Sequence, residues 1–291
     1  MKKVVILGAG LGGQLATIAI KRACPDCEIT LIGPSTGFPK GLFYFNEKIE
    51  GVAERPISIE YSKSGDCSWE EYQYKSRGES LSQETSSKSS LSKAEKGVKE
   101  TGYLFNLNNN CLNNLESYCT RIFQNCTSIN FNRKVVEYKV DGYRYRCEVN
   151  YDYLVSTLPY HIFRKLSGRL DISLESKPIY LREFRFNKFK NPLSLTEKVS
   201  VEYNCDLSDP IYRKSSYYDS EGNLLVVSEE SLTKFDGARK LVPGKILPNS
   251  NILSLETDSV KIYGRYAKWD YHYLVTDTYK DAYEFGLSLR S

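Results

Sequence analysis

Apolar and polar positions change their period twice within the first 32 residues. Lys3–Leu7 is a compact apolar run that ends at a glycine, which is typical of a buried parallel strand. Residues 11–22 place Leu15 and Ile18 on one side of a helix. Glu28–Ile32 is a second apolar run of strand length. The pattern predicts a βαβ unit with a right-handed crossover, the repeating element of an α/β fold.

The turn between the first strand and the helix carries the spacing G-x-G-x-x-G. Gly8 permits a tight turn, Gly10 lets the backbone approach a pyrophosphate, and Gly13 lets the helix pack closely on the strand. The N-terminus of the helix adds unpaired N–H groups and a partial positive charge, which both attract phosphate. We therefore expect a dinucleotide to bind at this turn, through Gly8, Gly10, Leu11, Gly12 and Gly13.

One part of the usual dinucleotide site is missing. An acidic residue is expected at the end of the second strand, where it binds the ribose hydroxyls. The sequence at that position is Leu31-Ile32-Gly33-Pro34-Ser35. Either Ser35 takes the place of the carboxylate, or the ribose is held less tightly.

Further strands follow in the middle of the chain. Residues 128–138 and 143–149 have strand patterns, and Asp141-Gly142 between them is a hairpin signal. An apolar run from residue 151 then ends at Ser156 and Thr157. Because the carboxyl ends of parallel strands face the ligand crevice, we expect these two side chains to point there.

Three other segments are predicted with less detail. Residues 115–123 have helical spacing. The serine-rich stretch 77–99 is predicted to be a surface loop, a solvated helix or a lid. Residues 37–47, rich in glycine and aromatics, form either a loop over a cofactor or a hydrophobic plug.

The second half of the chain is predicted to form an antiparallel sheet. Four segments alternate or are apolar over strand lengths, namely residues 178–186, 199–205, 211–218 and 224–228. Residues 237–248, with glycine and proline at both ends, are predicted to be a linker. The strand tyrosines either stack on a flat substrate or are ordinary sheet residues, the candidates being Tyr203, Tyr212 and Tyr217.

Composition and charge narrow the class of protein. The chain has 291 residues, and its net charge of +4 is too small to indicate nucleic-acid binding. No stretch approaches the roughly 18 apolar residues that a membrane span needs. We expect a cytoplasmic protein with a small-molecule substrate, and the sequence does not define its oligomeric state.

Side-chain chemistry outside the glycine turn is sparse. Cys24-Pro25-Asp26-Cys27 has C-x-x-C spacing, but no second pair stands at zinc-ligand spacing, and the motif does not precede a helix as redox motifs do. We predict two thiols in a connecting turn and no metal site. The two histidines, His161 and His272, are acid/base candidates or ordinary hydrogen-bonding residues. This scarcity indicates that a cofactor carries the chemistry.

Three motifs together resemble a known superfamily. They are the glycine turn, the strand "DYLVSTLP" at residues 152–159, and the segment "GRYAKW" at residues 264–269. Their order and spacing resemble the flavoproteins that include amine oxidases, protoporphyrinogen oxidase and UDP-galactopyranose mutase. The likeness is closest to small bacteriophage oxidoreductases, which carry similar "LFYFNE" and Tyr212-Arg213 features.

The resemblance implies an α/β fold, a Rossmann-like FAD-binding domain with an inserted antiparallel-sheet substrate domain. The FAD-binding domain would comprise residues 1–50, 128–165 and 249–291. The substrate or cap region would comprise residues 51–127 and 166–248.

The resemblance also implies where FAD would lie. The glycine turn would hold the pyrophosphate, and the backbone of Val135 or Val136 would lie near the adenine. Gly264 and Arg265 would lie by the flavin and ribityl end, with Ser156 and Thr157 in the crevice.

A last helix would complete the cofactor site. The segment 271–276, which contains Tyr273, would lead into a helix at residues 277–285. Its N-terminus would face the pyrimidine ring of the flavin, where the helix dipole favours negative charge on reduced flavin.

The functional hypothesis is an FAD-dependent oxidoreductase, or a flavin-dependent mutase or lyase. An amine, a sugar nucleotide or a modified nucleotide would be its substrate. The catalytic candidates are His272, His161 and Arg213, and Arg182 and Arg185 are further candidates for substrate phosphate. The alternatives are an NAD(P)-binding dehydrogenase, which leaves the Gly264-Arg265 segment unexplained, and a non-catalytic nucleotide-binding module of the same fold.

Overall fold

The chain divides into two compact units. In this computed structural model, the first unit comprises Met1–Pro39, Leu107–Leu174 and Pro248–Ser291, and the second comprises Lys40–Asn106 and Glu175–Leu247. The structure describes residues 1–34, 44–68, 71–72, 90–104, 115–140, 146–169, 174, 176–186, 198–206, 208–218, 223–231, 239–246, 252, 254–270 and 272–290. The predicted loop at 37–47, the serine-rich stretch 77–99 and the Asp141-Gly142 turn lie wholly or largely outside these residues.

A five-stranded parallel sheet forms the centre of the first unit. Its strands are β1 (Lys3–Leu7), β2 (Glu28–Ile32), β6 (Thr120–Ile122), β10 (Tyr153–Ser156) and β16 (Val260–Ile262). The order across the sheet is β16-β10-β1-β2-β6, and every neighbouring pair is parallel. The predicted βαβ unit is confirmed, with helix α1 at Leu11–Ala23 between β1 and β2.

The first and last helices of this unit pack tightly together. The last helix, Val275–Ser288, is longer at both ends than predicted. A Cβ at Gly286 would stand 2.6 Å from the Cβ of Ala23 and 3.0 Å from the Cα of Ile20. Only a glycine therefore lets the last helix approach α1 at this point. Two shorter helices, Tyr160–Leu166 and Arg265–Lys268, complete the unit.

A three-stranded antiparallel sheet corrects one strand prediction. Residues 128–138 are two strands, β7 (Cys126–Asn130) and β8 (Val135–Lys139), and β9 (Arg146–Asn150) pairs with β8. The chain reverses at Lys134, whose φ is +50°, and the amide of Tyr151 donates to the Lys134 carbonyl at 3.0 Å. A period-2 pattern does not reveal this reversal, because apolar positions continue on both sides of it.

The helix predicted at residues 115–123 is wrong. Only Leu115–Ser117 is helical, as a single 3₁₀ turn, and Thr120–Ile122 is strand β6. Its β-branched ends suit a strand, and pairing with the open edge of β2 satisfies its backbone. This pairing also places residues 107–127 in the first unit rather than in the predicted substrate region.

The second unit is built on an eight-stranded sheet in the order β15-β11-β14-β13-β12-β4-β5-β3. It is antiparallel apart from the β4–β12 pair. The strands are β3 (Tyr44–Phe45), β4 (Arg55–Ser64), β5 (Lys99–Leu104), β11 (Ser176–Phe186), β12 (Lys198–Asn204), β13 (Ile211–Tyr218), β14 (Leu224–Glu230) and β15 (Arg239–Ile246).

Two boundaries in this unit differ from the sequence prediction. The predicted linker at 237–248 is wrong, because Arg239–Ile246 pairs with β11 as the edge strand β15. An edge strand tolerates Pro243 and Gly244 in its interior, since one side of its backbone needs no partner. Residues 44–50 belong to this unit, because Tyr44–Phe45 pairs with β5.

One face of the large sheet holds the core of the second unit. Buried residues of β4 and β12 alternate with exposed ones, and a short helix, Ser90–Glu95, packs against both strands. The core cluster comprises Ile57, Ile59, Tyr61, Cys67, Tyr72, Ala94, Val199, Val201, Tyr203 and Cys205.

Candidate functional site

At two glycines of the turn the structure leaves no space for a side chain. Gly8 has a φ of +101°, and a Cβ there would lie 2.6 Å from the hydroxyl oxygen of Thr157. A Cβ on Gly13 would lie 1.8 Å from the carbonyl oxygen of Gly8. These contacts match the tight-turn and helix-packing roles predicted for the two glycines.

Main-chain and side-chain hydrogen bonds hold the turn from several sides. The amide of Gly8 donates to the Ile32 carbonyl at 2.8 Å. The hydroxyl of Thr157 lies 2.9 Å from the Leu7 carbonyl and 3.2 Å from the Gly8 carbonyl, and so donates into the turn itself. Thr157, predicted as a crevice residue, therefore positions the glycine turn through its hydroxyl proton.

Sequence reasoning overlooked a second support. The side-chain amide of Gln14 is buried and donates to the Ala9 carbonyl at 2.8 Å, and Thr17 donates to the Gly13 carbonyl at 2.8 Å. The sequence did contain a signal for these two hydrogen bonds, because both polar residues lie at buried positions of α1. A buried polar residue directly after a glycine motif indicates a side chain that satisfies turn carbonyls.

Gly10 differs from its neighbours, since no atom of the described residues lies within 4 Å of the place a Cβ would occupy. It is the N-cap of α1 without a side-chain hydrogen bond, and no acidic residue stands in the first turn. The first amides of a helix have no partner within the helix. Open space, helix amides and the positive end of the helix dipole thus meet at Gly10, which is the chemistry of an anion site.

The missing acidic residue has a steric explanation. A Cβ at Gly33 would stand 2.6 Å from the amide nitrogen and 2.9 Å from the Cβ of Ala9. The end of β2 therefore lies too close to the glycine turn for any side chain to fit without a shift. The position therefore has a glycine, whose amide donates to the Ile122 carbonyl at 3.0 Å, and no carboxylate.

Ser156 has an unusual environment at the end of β10. It is fully buried, and its Oγ has no hydrogen-bond partner among the described residues. A buried hydroxyl without a partner costs free energy, so it marks a place where a further polar group fits. Val135 and Val136 are also buried, at the start of β8 in the same unit.

The segment around Gly264 exposes the arginine predicted to bind the cofactor. Gly264 has a φ of +101° with open space around it, and it caps the short helix at Arg265–Lys268. Arg265 is exposed. His161 contacts Trp269 edge to face, with ring centroids 6.1 Å apart. The structure thus brings His161 beside the segment that carries Arg265.

Tyr273 belongs to a charged cluster around Asp281. Its hydroxyl donates to Asp281 at 2.6 Å, and the Lys268 ammonium lies 4.6 Å from its ring centroid and 3.4 Å from Asp281. Burial, with Asp281 beside it, raises the pKa of Tyr273 well above its ordinary value. The cluster ties the Arg265–Lys268 helix to the last helix, so the hydroxyl of Tyr273 has a structural partner.

The N-terminus of the last helix is capped from within. The carboxylate of Asp277 accepts from the Leu274 amide at 2.7 Å, so a negative charge already stands at this helix end. His272, the neighbouring catalytic candidate, is exposed, and its amide donates to Asp270 at 2.8 Å.

Arg213, the third catalytic candidate, lies in the second unit. Its guanidinium forms an ion pair with Glu229, which is largely buried. Burial acts to lower the pKa of Arg213, but Glu229 and Tyr203 raise it by more, so the net shift is upward and the charge is retained. Tyr203 and Tyr212 are also buried, which makes them core residues rather than a stacking surface.

The C-x-x-C thiols lie in the turn between α1 and β2. The amide of Cys27 donates to the Cys24 carbonyl at 3.2 Å, and both residues are buried. Burial and the adjacent Cys24 raise the pKa of Cys27 to about 12, which makes its thiol unreactive at neutral pH. Across the described ranges, no group of three or more His, Cys, Asp or Glu side chains is arranged to hold a metal ion.

None of the helices in the described part of the chain combines the length and the apolar character needed to cross a bilayer.

Comparison with known proteins places this geometry in a class of folds. The sequence matches no protein-family model and no curated protein. Solved structures do match over nearly the whole chain. HpxO of Klebsiella pneumoniae, solved as a variant complexed with FAD, has a TM-score of 0.57 at 11% identity and covers 100% of this chain and 82% of its own.

Two further structures extend the likeness. The flavin-dependent brominase Bmp2 has a TM-score of 0.56 at 11% identity, covering 98% of this chain and 77% of its own. A proposed protoporphyrinogen oxidase from an Exiguobacterium species has a TM-score of 0.56 at 10% identity, covering 99% and 98%. The chain therefore has the α/β fold of Rossmann-like flavoproteins, as the sequence predicted.

Proposed function

We propose that this chain is an FAD-dependent oxidoreductase that acts on a small molecule. The observation that carries the proposal is the geometry at Gly10. There the backbone is open at the N-terminus of an uncapped helix, while Gly8 and Gly13 on either side have no space for a side chain. A pyrophosphate requires this combination of a fixed turn and an unobstructed approach.

The residues present fit FAD on three counts. The glycine turn provides backbone N–H groups. Among the described residues, the buried Ser156 hydroxyl has no hydrogen-bond partner and no atom lies within 4 Å of a Cβ placed on Gly264, beside the exposed Arg265. We assign Gly8, Gly10, Leu11, Gly12 and Gly13 to the pyrophosphate. The backbone of Val135 and Val136 would serve the adenosine end, and Gly264 with Arg265 the flavin end.

The chain's own residues bind and orient the cofactor. When bound, flavin supplies electron-transfer chemistry that no amino-acid side chain provides. Thr157 and Gln14 keep the turn rigid, which places the pyrophosphate reproducibly. Of the three catalytic candidates, His161 is supported best for proton transfer, because its contact with Trp269 places it next to the segment that carries Arg265.

The finer proposal concerns the kind of oxidoreductase. The motifs at Gly8–Gly13, 152–159 and 264–269 favour the superfamily of amine oxidases and UDP-galactopyranose mutase. On that basis an amine, a sugar nucleotide or a modified nucleotide would be the substrate. The fold likeness to a proposed protoporphyrinogen oxidase is consistent with this superfamily.

A titration separates this proposal from the dehydrogenase alternative. The purified protein is titrated with FAD and, in parallel, with NADH and NADPH. Saturable binding of FAD, followed by bleaching of the flavin absorbance when a substrate amine or a reductant is added, supports the proposal. Binding of a nicotinamide dinucleotide without FAD binding would instead identify a dehydrogenase.

A further inference from the structure

We propose that Phe123, with Arg121 against its ring, is the surface on which the adenine of the bound dinucleotide stacks. The proposal rests on the dinucleotide function given above and assigns a specific residue to its adenosine end. Phe123 directly follows strand β6, which the sequence patterns did not recognise as a strand.

The order of the strands sets the direction in which the adenosine must run. A pyrophosphate at the glycine turn lies beyond the end of β1, and the ribose of such a dinucleotide lies beyond the end of the neighbouring strand β2. On the far side of β2 the next strand is β6. The adenine, one ring system beyond the ribose, therefore reaches the carboxyl end of β6.

Register places Phe123 at that end. Ile32 of β2 is paired with Ile122 of β6, and the amide of Gly33 donates to the Ile122 carbonyl at 3.0 Å. Continued by one residue beyond the last pair, this register sets Phe123 beside Gly33, the position where a ribose-binding carboxylate usually stands. Parallel strands keep paired residues on the same face, so the two positions face the same side of the sheet.

That side is the one on which the glycine turn lies. The Cβ direction of Gly33 points at the amide nitrogen of Ala9, 2.6 Å away, inside the turn. Arg121 and Phe123, two residues apart, share this side, since the guanidinium carbon of Arg121 lies 4.4 Å from the Phe123 ring centroid. The ring and the glycine turn are thus on one side of the same strand ends.

The Phe123 ring is exposed, so it offers an apolar surface on which a base can stack. Phe123 is 47% exposed, while the aliphatic residues of the neighbouring strands are almost fully buried. Base–aromatic stacking contributes about 1–3 kcal/mol per base, and Arg121 over the Phe123 ring adds a cation–π contact. Because Gly33 offers no carboxylate to the ribose, stacking on Phe123 would supply the affinity that is missing there.

The test is FAD binding to the purified protein and three variants. Phe123→Ala is expected to raise the dissociation constant for FAD about 5- to 150-fold, the range that corresponds to loss of one stacking contact. Phe123→Trp, which keeps a flat ring, is expected to bind within about 2-fold of the parent. Phe184→Ala is the matched control, because Phe184 is 41% exposed, lies 5.5 Å from the Arg182 guanidinium and belongs to the other unit.

The assignment is supported if Phe123→Ala loses affinity for FAD while Phe123→Trp and Phe184→Ala bind FAD about as well as the parent. The Tm of the apo-protein must also be unchanged. Equal FAD affinity in Phe123→Ala and the parent overturns it while leaving FAD binding intact. A matching fall in apo-protein Tm, or failure of tryptophan to restore binding, also overturns it, because the effect would then be structural. If the parent itself binds no FAD, the proposed function fails instead.

Discussion

The two units stabilise their key regions by different means. In the first unit, the glycine turn is fixed by close backbone packing and by hydrogen bonds to carbonyl groups from Thr157 and Gln14. In the second unit, adjacent carboxylates of β14 point to opposite faces of the sheet, and each pairs with an arginine. Glu229 pairs with Arg213, and Glu230 pairs with Arg182.

The two units should therefore respond differently to substitution. A site made of backbone leaves its N–H groups to a ligand, and it fails when a side chain is added. A sheet held by paired charges fails when one partner is removed, because the other charge is left in a poorly solvated place. An added side chain should therefore damage the first unit, and removal of a charged side chain should damage the second.

The largest expected effect is that of Gly13→Ala. The added methyl would overlap the Gly8 carbonyl, 1.8 Å from the Cβ position, so the turn must open. We expect a loss of about 3 kcal/mol or more in the free energy of unfolding, together with loss of FAD binding. Denaturant unfolding of the apo-protein measures it, and near-parent stability would show that the turn is not as close-packed as described.

The second largest effect is expected when a paired carboxylate of the second unit is removed. Glu229→Ala removes the carboxylate that pairs with the Arg213 guanidinium, whose Nε is buried with no hydrogen-bond partner among the described residues. Because Arg213 is partly exposed, we expect about 2 kcal/mol of destabilisation, below the 3–5 kcal/mol of a fully buried pair. The control is Arg146→Ala, which breaks an exposed pair with Glu137 and should cost at most about 1 kcal/mol. Equal losses in the two variants would contradict the contrast.

Gly10→Ala separates binding from stability within the turn. In the part of the chain that the structure describes, no atom lies within 4 Å of the new methyl, so the unfolding free energy should stay within about 0.5 kcal/mol of the parent. The methyl would occupy space needed by the pyrophosphate, and FAD affinity should fall about 10-fold or more. Calorimetric titration and thermal unfolding on the same sample check both halves. A variant that binds FAD normally would remove Gly10 from the site.

The smallest expected effect has the opposite sign. The Tyr151 hydroxyl is buried without a partner among the described residues, so Tyr151→Phe should raise the free energy of unfolding at neutral pH by up to about 1 kcal/mol. Burial raises the pKa of Tyr151 from 10.0 to about 12. The folded state therefore binds the hydroxyl proton more tightly than the unfolded state, so the free energy of unfolding does not depend on this group below pH 10 and falls between pH 10 and 12.

The phenylalanine variant should lose less stability than the parent across that alkaline range. Unfolding curves of both proteins, collected below pH 10 and above pH 12, test this prediction. Destabilisation at neutral pH would mean that the hydroxyl does have a partner.

The glycine turn was predictable because its determinants are local. Strand, glycines, helix and strand follow one another within 32 residues, and the apolar periods change at the element boundaries. The steric reason for Gly33 was not predictable, since it depends on contact with Ala9 across the turn. Thr157 was expected in the crevice, but its bond to the turn joins residues 150 positions apart.

The errors fell where tertiary pairing decides the structure. Residues 120–122 had helical spacing and became a strand, because the edge of β2 offered a partner. Residues 239–246 resembled a linker and became an edge strand for the same reason. Tyr203 and Tyr212 are core residues, and no local pattern shows which face of an aromatic strand will be covered.

The central claim is that the glycine turn binds FAD through an open backbone. The most direct measurement is the flavin absorbance retained by the protein, and by Gly10→Ala, after saturation with FAD and removal of the free cofactor. Our account predicts one FAD per chain in the parent and a large loss in the variant, with both proteins equally folded. A folded parent that retains no FAD, or a variant that retains as much as the parent, would contradict it.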